Sequence, residues 1–182
     1  MIALQCVAPL VALLSSMPRG PGPHMRVDST ADSVCKSSAV FTVVSGDSLD
    51  SKIGKVLPAI IIGCTQHEEF GVNLLASVAP AVIVRHSGYW GEQAIEVQAD
   101  SNKKQKINTE IVTFGRERLM VMDAGDDKKM LIAMASAQMF TVEWKLWDYE
   151  AVVGRFTLDT NETDRRAKLA APWLSCKKKP LW

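Results

Sequence analysis

Side chains able to do chemistry are sparse in this chain, and the densest group is Cys64, His67, Glu68 and Glu69. A thiol and an imidazole at i and i+3 can ligate a metal, with a carboxylate completing the shell. The same pair can serve as nucleophile and base. Both sets are incomplete as they stand. The chain has three histidines, His24, His67 and His86, and neither an HExxH nor a CxxC pattern. The plainer reading of Cys64 is a cysteine at a strand end beside a polar turn. P-loop, GxGxxG and GxSxG signatures are missing as well, and the remaining carboxylates are scattered. The sequence thus nominates no catalytic residue, no metal ligand and no cofactor.

A second group is Arg85, His86, Tyr89 and Trp90. A cation beside aromatics suits a binding rim, because Tyr and Trp offer a large apolar area with a polar tip. The competing reading is a loop whose aromatic side chain covers the edge of the core. Trp144 and Trp147 fall on opposite faces of one predicted strand, so one of them is a candidate for exposure. Asn161-Glu162-Thr163 is a formal glycosylation triplet.

Cys6, Cys35, Cys64 and Cys176 are the four cysteines. If a leader carries Cys6 away, three remain, enough for one pair and one leftover thiol. The wide separation of Cys64 and Cys176 suits a disulfide that ties the C-terminus to a strand; two buried free thiols are the alternative. Residues 2–14, IALQCVAPLVALL, form an uncharged apolar run. A helical membrane span needs about 20 residues, so this run has the length of a signal-peptide core, although no basic residue precedes it. Pro18–His24 reads as a linker. The division expected is a leader-like segment and linker over 1–33, one domain over 34–176, and a basic tail over 177–182. A start at Met17 or Met25 would instead make the apolar run an artefact.

These groups need a scaffold, and its composition is ordinary for a globular domain: 182 residues, 47% hydrophobic and 23% charged. A net charge of +1 provides no global field to attract nucleic acid or a membrane surface. Strands are predicted over 40–45, 56–64, 72–77, 81–86, 94–98, 107–114, 118–122, 140–147 and 152–158, with 72–77 and 81–86 forming a hairpin across Ala79-Pro80. The apolar run VLPAIIIGC should be a central strand with Pro58 near its start. A helix is predicted over 128–139, capped by Asp126 or Asp127 and burying Leu131, Met134, Ala135 and Gln138. A last helix runs from a cap at Thr160 or Asn161 to about Ala171, where Pro172 ends it. Runs of strands with two helices imply an α+β class, a mostly antiparallel curled β-sheet or sandwich.

One order of elements runs from an apolar strand ending in Cys64 through a strand with Arg85, a loop with Trp90 and an amphipathic helix over 129–139. It continues with a strand pair ending Phe156-x-Leu158, a final helix and Cys176. This order resembles that of small exported bacterial proteins such as the periplasmic accessory proteins associated with type VI secretion. It departs from those proteins in placing Trp173 before the last cysteine. The resemblance implies an envelope protein with a Cys64–Cys176 disulfide and no enzymatic activity. The expectation is therefore a periplasmic or secreted interaction domain, binding a protein or envelope component near Arg85–Trp90 and not integral to the membrane. The alternatives are a hydrolase or metal-dependent enzyme centred on Cys64 and His67, and a cytosolic phage or mobile-element protein.

Overall fold

Alternation with a period of two decides most of the architecture. The computed structural model describes residues 24–32, 37–51, 54–56, 58–67, 71–79, 92–114, 117–122, 124–145, 151–159 and 161–175. The strands are β1 (Met25–Asp32), β2 (Ser37–Ser45), β3 (Leu49–Ser51), β4 (Gly54–Val56), β5 (Ala59–His67), β6 (Gly71–Ala79), β7 (Glu92–Ala99), β8 (Gln105–Phe114), β9 (Glu117–Met122), β10 (Met139–Lys145) and β11 (Ala151–Thr157). The helices are α1 (Ala124–Ser136) and α2 (Glu162–Ser175).

Nine strands form one sheet in the order β1-β2-β5-β6-β9-β8-β7-β10-β11, and β3 and β4 form a two-stranded sheet of their own. Every pairing is antiparallel. The α+β class is as expected, and the main sheet is open, with β1 and β11 as its edges.

Among the described side chains, register aligns apolar residues on one face of β1, β2 and β5 and of β7, β8, β10 and β11. Met25 faces Val44, Val44 faces Ile60, Ile95 faces Ile107, Val142 faces Val97 and Phe140 faces both Ala99 and Phe156. These residues form one buried cluster with Met130, Leu131, Met134 and Ala135 of α1 and Leu169 of α2. The two helices therefore lie on this face, α2 against β1, β2 and β5, and α1 against β6, β7 and α2. The other face changes character along the sheet. On β2 and β5, Phe41, Val43, Ala59 and Ile61 are also buried, which explains why both strands read as continuous apolar runs. On β11 the other face holds the exposed Ala151, Val153 and Arg155.

The sheet bends back on itself. Gly46, just beyond β2, donates its N–H to Pro58 O (2.9 Å), and Asp47 donates to Arg155 O of β11 (2.8 Å). One edge strand thus reaches the ends of the second and third strands from the opposite edge, and it does so without closing a barrel.

Several expectations shift. Strand β1 begins at Met25, inside the 1–33 segment expected to be leader and linker. The segment after Gly46, whose Asp and Ser content predicts a turn, contains the antiparallel β3–β4 pair, and Leu49 packs against the core. Strand β5 extends through Thr65, Gln66 and His67, which were expected to be turn. Strand β6 pairs with β5 and β9; its expected partner, 81–86, lies outside the described residues. Helix α1 sits about one turn earlier than expected, so Asp126 and Asp127 occupy its first turn, where carboxylates favour the helix dipole. Gln138 is exposed beyond its end, and Met139 already belongs to β10.

Helix α2 runs through Pro172 to Ser175. Proline lacks an N–H, so the carbonyl four residues back, that of Lys168, has no partner within the helix. The hydroxyl of Thr42, fully buried on β2, donates to that carbonyl. The sheet thus satisfies the acceptor that the proline orphans, and the helix continues.

Candidate functional site

Polar groups among the described residues gather at two places. The first is the junction of β11, α1 and α2. Asn161 caps α2, its Oδ1 accepting from the N–H groups of Thr163 (3.0 Å) and Asp164 (3.3 Å). One turn on, Arg165 is a buried guanidinium, 3% exposed. Its Nε donates to Ala135 O (3.1 Å), and its Nη1 donates to Asp159 O. Ala135 O is one of the carbonyls that the end of α1 leaves without an intrahelical donor. Its neighbours are served too, Ala133 O by the Ser136 hydroxyl (3.2 Å) and Met134 O by Ala137 N–H (3.3 Å). A cation at this helix end also suits the dipole. The Asp159 carboxylate accepts from Lys168 Nζ, which also reaches Met25 O (3.3 Å) on β1.

Asp100 holds the next corner. It follows β7 in the left-handed region (φ 49°), which Asp tolerates better than most residues. Its Oδ1 accepts from the N–H groups of Gln138 (3.0 Å) and Met139 (2.8 Å), fixing the step from α1 into β10.

The second place is the outer face of β7 and β10. Glu96 and Glu143 stand directly opposite each other, an arrangement that like charges destabilise. Lys104 lies between them, at 3.3 Å from Glu96 and 2.6 Å from Glu143. Its side chain is half exposed, and the ammonium is held above the ordinary lysine value of 10.5, first by the hydrogen bond to Glu143 and then by that to Glu96. A group whose pKa is raised on folding contributes stability below its unfolded value, and that contribution is lost as pH rises through the folded value. The gap in thermal midpoint between the parent chain and Lys104→Met should therefore be present at pH 7 and shrink at pH values above the ordinary lysine range. A gap that stays constant across that range would contradict the pairing.

A buried donor stands apart from both groups. Trp144 is 2% exposed, and its indole Nε1 has no hydrogen-bond partner among the described residues.

Most of the residues nominated from sequence fall where the structure is not described. Arg85, His86, Tyr89 and Trp90 lie outside the described residues, as do Glu68, Glu69, Trp147 and Cys176. Strand β5 pairs position 64 with Val40 and Leu74, and position 67 with Gly71. Positions three apart on a strand fall on opposite faces, so β5 does not present 64 and 67 as one pair. All four cysteine side chains lie outside the description, and no disulfide occurs within it. Among the described residues, no cluster of three His, Cys, Asp or Glu could hold a metal, and no helix is long and apolar enough to cross a membrane. Sequence reading missed Arg165 and Thr42. The signal for Thr42 was Pro172 inside a helical pattern; Arg165 carried none, because an arginine in a polar helix reads as solvated. Neither a family model, nor a curated protein, nor a solved structure matches the chain.

Proposed function

We propose that this chain is a non-enzymatic exported interaction domain with Cys64 and Cys176 joined. In this reading it binds a protein or envelope component through the surface around Arg85, His86, Tyr89 and Trp90, as a secretion-system accessory protein would. The apolar run over 2–14 supports export. The path of α2 is the observation that carries the reading. Lys168 Nζ reaches Met25 O, and Met25 faces Val44, which faces Ile60. Side chains lean towards a helix's N-terminus. The Lys168 carbonyl, further along the axis, meets Thr42, which faces Ile62. Helix α2 therefore travels along β5 from residue 60 towards position 64, and Cys176 directly follows its last residue, Ser175. The buried polar side chains Thr42 and Arg165 are meanwhile engaged with backbone carbonyls, which is structural work.

One preparation tests both halves. The full chain, isolated from the periplasm, is alkylated before and after reduction, peptide-mapped, and used as bait against an envelope fraction beside a variant carrying Arg85→Ala and Trp90→Ala. The expected result is a Cys64–Cys176 linked peptide and a component captured by the parent chain but not by the variant. Thiols that all alkylate without reductant, together with equal capture by both baits, would overturn the reading.

A further inference from the structure

The edge strand β11 declares its open side through parity. Leu158 N–H, in step with the even-numbered residues, bonds towards β10 at Gln138 O (2.8 Å), while Arg155 O points away from β10 to accept from Asp47 (2.8 Å). Backbone groups of alternate residues point the same way. The N–H and C=O groups of Ala151, Val153 and Arg155 therefore line the outer edge. Among the described residues, Arg155 O alone of these has a partner. An edge of this kind is a template for another strand.

We propose that Gly46–Asp47 is an autoinhibitory latch that keeps two copies of this chain from joining through their β11 edges. The edge is self-complementary. In an antiparallel pair about a two-fold axis at Val153, each Val153 faces its counterpart, and each Ala151 faces Arg155 of the second copy. Each facing pair exchanges both of its N–H···O=C bonds. The side chains agree with this register: Val153 is 41% exposed, β-branched, and meets its own kind, while Arg155 falls opposite a small residue and not another cation. The register also requires Arg155 O to accept from Ala151 N–H of the second copy. That is the position Asp47 N–H occupies, so latch and dimer exclude one another. Gly46 makes the latch possible. A Cβ there would lie 2.8 Å from Pro58 Cγ, 2.9 Å from Arg155 O and 2.9 Å from Phe156 Cε1, so no other residue brings the chain this close to β11.

The test is self-association of the full chain by sedimentation, across a range of protein concentrations. Asp47→Pro deletes the latching N–H and should tighten dimerisation by about tenfold or more. Adding Val153→Pro removes the central edge donor and should return association to the parent level. An Asp47→Pro chain that associates no more than the parent, or a dimer that survives Val153→Pro, overturns the proposal. The unmodified chain offers a second measurement that needs no variant to fold. Latch opening is reversible, so amide exchange at Val153 and Arg155 should slow as protein concentration rises; exchange independent of concentration overturns the proposal as well.

Discussion

Replacing Arg165 with leucine is expected to lower the unfolding free energy by about 3–5 kcal/mol, a large share of the 5–15 kcal/mol typical of a domain. Leucine fills much of the apolar space but donates nothing. The carbonyls of Ala135 and Asp159 then lose the donors that Nε and Nη1 supply. Each bond from a charged donor is worth roughly 1.5–3 kcal/mol, and a buried acceptor left without a partner keeps its full desolvation cost. The end of α1 is affected most, since its Ala135 carbonyl has no intrahelical donor and sits at the negative end of the helix dipole. Arg165→Lys should recover only part of the loss, because an ammonium on a flexible stem does not reproduce the planar fork that serves two carbonyls at once. Urea unfolding of the three chains decides the matter. A leucine variant within about 1 kcal/mol of the parent would show that the guanidinium is not what joins α1 to α2.

How much of this was legible in the residues differs by element. The run Ala59–Ile62 declared a central strand because an unbroken apolar run suits a strand buried on both faces, and Ile60, Ile61 and Ile62 are all buried; Val56, expected to open the same strand, belongs instead to β4. Strand β10 was legible for the opposite reason, its strict alternation. Strand β1 was not: MRVDSTAD carries Asp, Ser and Thr that read as loop, and as an edge strand it is ordered by pairing with β2 along its length. The β3–β4 pair hid in a run of turn-forming residues and is betrayed only by Leu49. The start of α1 was misplaced because an Asp can cap a helix or occupy its first turn, and local sequence treats the two alike. For the candidate sites the limit was tertiary. Cys64 and His67 resemble a pair when counted along the chain, and strand geometry separates them. The Arg165 junction joins residues about thirty positions apart through backbone carbonyls, which have no residue type to read.

Gly154→Ala is expected to destabilise the chain by about 1–3 kcal/mol, more than a change of one methyl group ordinarily would, and Trp144 is the reason. Gly154 lies on the buried side of β11, facing Val142. A Cβ at this position would stand 2.8 Å from Trp144 Cζ3, 3.1 Å from Cη2 of the same ring and 3.1 Å from Phe156 Cε2. The glycine thus makes room for the six-membered half of the indole to lie across the strand, in a sheet with little freedom to move. The same indole carries an N–H with no partner among the described residues, a group whose burial costs on the order of 1–3 kcal/mol. Trp144→Phe loses packing area but also removes that orphan donor, so the two effects oppose and the substitution should cost less than an aromatic-to-alanine change at this site, for which 3–5 kcal/mol is usual. The shorter phenyl ring also withdraws the atoms that a Cβ at 154 would meet. In a double-mutant cycle, Gly154→Ala should therefore cost markedly less in the Trp144→Phe background than in the parent, with a coupling of about 1 kcal/mol or more. Equal costs in both backgrounds would mean that the strain lies against Phe156 instead. The cycle turns on which ring the glycine accommodates, because residues in contact couple and residues apart add.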